Sequence, residues 1–140
     1  MRDEEAAAII DNVQRAQEAL YEHGDSGPVR EVLTEDVEWV VPGTSPIAGT
    51  YRGIDETVAY MLARRDLAGG SFRMTRRALL TGDGYIAALT DGQATVGGRE
   101  HTWSTVGLYE PREGKIASCR LIPFDQAQFD AIWSYPGANA

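Results

Sequence analysis

Over residues 3–22 the apolar side chains Ile9, Val13, Ala16 and Leu20 recur at i, i+4, i+7 and i+11, one stripe of an amphipathic helix that Gly24 ends. Asp25 and Ser26 are suited to cap a second, short helix, with Pro28 in its first turn and Val29, Val32 and Leu33 on its apolar side. Residues 36–41 then alternate, placing Val37, Trp39 and Val41 on one face of a strand that Pro42 and Gly43 stop. Residues 42–53, rich in Pro, Gly, Ser and Thr, read as a loop. Asp55 opens a third helix with Ile54, Val58, Met61 and Leu62 as its apolar positions, and Gly69 and Gly70 close it. From there the period changes to two. Strands are predicted over residues 71–81, 85–96, 99–109 and 115–124, separated by Gly-rich turns. Asp125 with Gln128 three residues later forms a capping-box pattern for a short terminal helix carrying Phe129 and Trp133.

Three helices with one early strand, then a meander of four long strands, argue for an α+β fold rather than a parallel α/β sheet. Long antiparallel strands with one apolar face need helices laid on that face. The expectation is a single domain over residues 1–140, with helices and a curved sheet enclosing a cone.

The strand over 99–109 carries the candidate chemistry. His101, Trp103, Thr105 and Tyr109 share one face; Thr102, Ser104, Val106 and Leu108 share the other. An imidazole, two large rings and a hydroxyl on one face suit the wall of a small-molecule pocket, which is mostly apolar with a few placed polar groups. The same mixture also occurs on an ordinary, partly exposed sheet face.

Composition narrows the function classes. Hydrophobic residues make up 43% of the 140-residue chain and charged residues 24%, as in ordinary globular domains. The formal charge of −8 is concentrated at the start: residues 1–40 hold eleven carboxylates against three arginines. That balance argues against a nucleic-acid partner, which needs a basic face. No apolar run reaches the roughly 20 residues of a membrane span, and no signal-peptide pattern opens the chain, so the expected location is cytoplasmic. Cys119 is the single cysteine, and with two histidines the chain has no metal-ligand spacing; no metal and no cofactor are expected.

The order and spacing of several short stretches resemble the nuclear-transport-factor-2-like superfamily, also called ketosteroid-isomerase-like or SnoaL-like. They are Glu35-Asp36-Val37-Glu38-Trp39, Pro42-Gly43, Pro46 to Gly53, Gly69 to Arg73, Glu113 to Ile116, and Phe124-Asp125-Gln126, covering about residues 6–134. The resemblance implies a cone: a curved, mostly antiparallel sheet wrapped by three N-terminal helices, with a short C-terminal helix. Members include polyketide cyclases, isomerases, dehydratases, epoxide hydrolases and binders without catalysis, so the fold leaves the reaction open. The isomerase set is missing. Its base aspartate would fall near Trp39, its oxyanion tyrosine near Ala16, and its oxyanion aspartic acid near Thr105 or Val106. The water-activating Asp–Arg–Asp set of limonene-epoxide-hydrolase-like enzymes would fall near Thr90, Ala88 and Leu121, and is missing too.

The resemblance also turns the face of His101, Trp103 and Thr105 inward. It then implies His101 as acid or base, Trp39 and Trp103 as cavity walls, Thr105 and Thr90 deeper, and Tyr51 near the rim. Asp125 is a further catalytic candidate because related enzymes carry aspartates near this strand end, and Asp91 is one if a bulge turns it inward. Two readings stay open: a cofactor-independent enzyme acting on a hydrophobic small molecule by acid–base chemistry, of cyclase, isomerase or epoxide-opening type, and a non-catalytic binder of such a molecule. The apolar pair Val106 and Leu108, on the face away from the cavity, makes a homodimer the expected assembly.

Overall fold

The computed structural model describes residues 1–134. In chain order the elements are α1 (Asp3–His23), α2 (Gly27–Val32), β1 (Leu33–Val41), β2 (Gly49–Arg52), α3 (Gly53–Leu67), β3 (Arg73–Gly82), β4 (Tyr85–Val96), β5 (Arg99–Arg112), β6 (Lys115–Pro123) and α4 (Gln126–Trp133). The strands form one six-stranded sheet in the order β2-β1-β6-β5-β4-β3. Only β1 and β6 run parallel; the other four neighbouring pairs are antiparallel. Register shifts mark bulges in β1, β3 and β6, which bend strands and tighten their twist. The sheet is curved accordingly, and the helices lie in its concave side, which gives the expected α+β cone. Among the described residues no helix is long and apolar enough to cross a membrane.

Three local differences from the sequence reading have simple causes. Leu33 starts β1 instead of closing α2, because its backbone is already extended and its side chain is buried. Residues 49–52, expected as loop, form the edge strand β2 against β1. Loop-like composition did not prevent pairing with an open strand edge. Asp55 does not cap α3, which begins two residues earlier. Asp55 accepts a hydrogen bond from Arg30 at 2.7 Å instead, and Glu56 takes up the backbone N–H of Arg52 at 3.0 Å.

The core follows the helix stripes. In α1 the fully buried line is Ala6, Ile10, Val13, Gln17 and Leu20, one position away from the predicted Ile9, which is only partly buried. From α3, Val58, Tyr60 and Met61 face the sheet; from α4, Phe129, Ile132 and Trp133 do. Burying side chains of this size removes each from water at roughly 1.5–3 kcal/mol. Three members of these inward stripes are polar: Gln17 on α1 and Thr57 and Arg64 on α3, all buried.

Candidate functional site

Strand alternation sets the walls of the cone. Inward positions on β4 are Ala88, Thr90, Gly92 and Ala94; on β5 they are His101, Trp103, Thr105, Gly107 and Tyr109. The β4–β5 register pairs Thr90 with Thr105 and Gly92 with Trp103 without interruption. Trp39 from β1 and Leu121 from β6 complete the sheet side, while Gln14, Gln17, Arg64 and Phe72 close the cavity from the helix side. Gln14 and Met74 are the lining residues with appreciable exposure, so the cavity opens to solvent between α1 and β3.

The enclosed volume is about 30 Å³. That is room for roughly two water molecules, far from the few hundred Å³ of an open ligand pocket. Aromatic side chains occupy the rest of the cone. Trp103 meets Trp133 edge-on, with ring centres 5.4 Å apart, and lies 5.7 Å from Phe72. Trp39 stands edge-on to Tyr109 at 6.1 Å.

Arg64 is the one charge in this interior among the described residues lining it. Its Nε and Nη2 both donate to the Tyr21 hydroxyl, at 3.0 and 2.7 Å. Its guanidinium carbon lies 4.4 Å from the Phe72 ring centre, 5.1 Å from Tyr60, 5.3 Å from Tyr21 and 6.0 Å from Trp133. Desolvated cation–π contacts are worth about 2 kcal/mol or more, so this cage offsets part of the cost of burying the charge. Burial pushes the Tyr21 phenol up, with Arg64 opposing, and does the same more strongly to Tyr60. Tyr109 is held well above its ordinary range by burial and by Cys119 beside it, and burial raises the Cys119 thiol as well. All four are neutral near pH 7.

Four of the residues singled out from sequence line this cavity together: Trp39, Trp103, Thr105 and Thr90. Four do not. His101 has the inward register but stands one step beyond Trp103, toward the β4–β5 turn. Inward positions on a strand are about 7 Å apart, and Trp103 packed on Phe72 closes the interior before His101. It borders a separate groove of about 280 Å³ with Ser71, Gln93 and Thr102, and its Nε2 is buried without a hydrogen-bond partner. Asp91 points outward, accepts a hydrogen bond from Ser104 Oγ at 2.7 Å and pairs with Arg77 at 3.3 Å. The bulge expected to turn it inward is absent from the continuous β4–β5 pairing; the neighbouring bulge lies in β3, between Arg76 and Ala78. Asp125 caps α4, accepting from the Gln128 N–H at 3.0 Å, and is exposed. Tyr51 donates to the Ile47 carbonyl at 2.6 Å and stacks on Tyr60 at 4.8 Å, so it pins the 42–53 segment rather than reaching the rim.

Gln14, Gln17, Arg64, Phe72 and Met74 also line the cavity, and the sequence reading gave none of them a place in it. Arg64 had a signal: it follows Tyr60 by four and Met61 by three, on the inner stripe of α3, where a charge is out of place. Among the described residues no group of three or more His, Cys, Asp or Glu side chains is arranged to hold a metal ion.

Comparison with known proteins agrees with this architecture. An uncharacterized protein of Mycobacterium tuberculosis, Rv0034, is 27% identical over 128 residues, covering 91% of this chain and 97% of that one. Bal32a, from a soil-derived mobile gene cassette, superposes with a TM-score of 0.81 at 25% identity, covering 92% of this chain and 98% of that chain. TerC, co-crystallized with polyporic acid, shares the fold at a TM-score of 0.74 and 20% identity, covering 91% and 97%. The family described as the SnoaL-like domain matches residues 13–119, most of the chain, from within α1 to within β6, and this protein belongs to it.

Proposed function

We propose that this SnoaL-like domain binds a small molecule inside the cone, between the walls of Trp39, Trp103 and Tyr109. One observation carries the reading: Arg64, Gln17, Thr90 and Thr105 bring polar groups from four elements onto one aromatic-lined cavity that opens to solvent. A core built only for packing would bury apolar side chains at those positions. Among the described residues the lining contains no carboxylate and no imidazole, and its phenol is held neutral, so the arrangement supports binding ahead of acid–base turnover. The present volume is that of a closed state. A ligand with a ring enters by displacing Met74 and turning Trp103 aside, since benzene alone needs a cavity on the order of 150 Å³.

Extraction of the purified protein followed by mass spectrometry tests this. The expected result is a small molecule retained near one per chain and lost in Thr105→Phe, which fills the cavity. Retention of the same molecule by a folded Thr105→Phe variant overturns the reading.

A second reading is a cofactor-independent enzyme of cyclase, isomerase or epoxide-opening type. Its support is His101, an imidazole that borders the groove beyond Trp103 and whose buried Nε2 has no hydrogen-bond partner among the described residues. TerC, which has this fold, was co-crystallized with the organic acid polyporic acid. In this reading His101→Ala lowers turnover by roughly 100-fold or more. Full turnover in a folded His101→Ala variant removes it.

A further inference from the structure

We propose that Arg64 anchors the carboxylate of an organic acid in the cone cavity, an inference that rests on reading that cavity as a ligand site. A guanidinium carries five N–H donors. Tyr21 takes two of them, on Nε and Nη2, and Nη1 has no partner among the described residues. Nor does any carboxylate among those residues lie within ion-pair distance of Arg64, although it is only 4% exposed. Buried charges in proteins are paired, because an isolated one keeps most of its desolvation cost. Here the neighbouring phenols are neutral, so among the described residues there is a cation and no counter-charge.

The surroundings fit the missing partner. Thr90 and Thr105 face the same cavity as hydroxyl donors and Gln17 as an amide donor, and no lining carboxylate repels an anion. The planar guanidinium fork matches a carboxylate in a way that a point charge does not. Trp39, Trp103 and Phe72 are flat surfaces against which the organic part of an acid stacks. At the mouth, Arg76 is held by Asp11 at 2.8 Å and reaches Gln14, which leaves Arg64 as the unpaired cation of the cavity. The cavity as it stands accepts an acid the size of formate. Larger acids require Met74 to swing out.

Matched acids and amides separate charge from shape. Formate and formamide, acetate and acetamide, and benzoate and benzamide are titrated near neutral pH, with the indole N–H signals of Trp39 and Trp103 as the readout. At least one acid is expected to bind roughly tenfold or more tighter than its amide, the scale of a charge-assisted pair. Arg64→Met is expected to erase that preference while leaving amide binding in place. Equal binding of each acid and its amide overturns the proposal while the cavity remains a ligand site, and makes the four aromatic rings the whole environment of Arg64. An acid preference that persists in a folded Arg64→Met variant also overturns it. No response of either indole to any of the six probes overturns both this proposal and the cavity reading. If Arg64→Met does not fold, the comparison on the native protein decides alone.

Discussion

The indole of Trp103 occupies the space that a side chain on Gly92 would need: a Cβ built on Gly92 would lie 2.4 Å from Trp103 Cε2. The two residues face each other across the β4–β5 ladder, both inward. A similar relation holds one step along β5, where a Cβ on Gly107 would lie 2.7 Å from the Tyr109 ring. Glycine at these two inward positions is what lets two large rings lie flat against the sheet. The cavity is small because the rings use the room the glycines leave.

Gly92→Ala therefore forces Trp103 off its seat. The expected cost is about 1–3 kcal/mol of stability, the usual penalty for overpacking a filled core. Urea unfolding followed by tryptophan fluorescence measures it, and the native emission should shift as the indole meets water. An unchanged unfolding midpoint would mean that Trp103 has a second seat of equal energy.

Stability should fall on the alkaline side. Cys119, Tyr21, Tyr60 and Tyr109 are acids whose folded-state pKa values are raised by burial. Between the unfolded and folded values the unfolded chain has released protons that the folded chain still holds. The unfolded state then binds fewer protons, so unfolding free energy declines as pH rises. The decline begins near pH 9, where an exposed thiol ionises, and steepens near pH 10 with the phenols. Each group adds up to about 1.4 kcal/mol per pH unit. Cys119→Ala should delay the onset to the tyrosine range. A flat profile from pH 8 to 11 would contradict the burial of all four.

The outer face of the sheet is the expected seat of a second copy. Leu89, Val106 and Ile122 line up across β4, β5 and β6, and the next row holds Leu80, Ala87 and Leu108. Ile122 is 44% exposed and Leu80 58%, with Phe124 at 60% beside them. An exposed apolar band of this kind is the type of surface that association with a second copy would cover. Light scattering at micromolar concentration should report twice the chain mass, and Val106→Asp should reduce it to one. A native protein that is monomeric at that concentration counts against the assembly.

Much of the cone was legible along the chain. The switch of period from 3.6 to two after Gly70 separates helices from sheet, and turn glycines mark the hairpins within a residue or two. Alternation put Trp103 and Thr105 on one face of β5 and Trp39 on one face of β1, and the family resemblance turned those faces inward. These features are local: they depend on spacing and turn chemistry, which neighbouring residues carry themselves.

The contents of the cavity were decided elsewhere. Register said that His101 faces in, but not that the indole of Trp103 and the ring of Phe72 would close the space before it; that depends on side chains from the segment between α3 and β3, from β5 and from α4 meeting. Asp91 stayed outside because the bulge that bends this part of the sheet formed in β3, and nothing in residues 85–96 specifies its partner's irregularity. Arg64 is the sharpest case. Its helical spacing shows it on the inner stripe of α3, whereas its lack of a carboxylate partner among the described residues is a property of every element packed around it. Periodicity fixes which way a side chain points. What it meets there, and whether its charge finds a counter-charge, is set by tertiary packing across segments far apart in the chain.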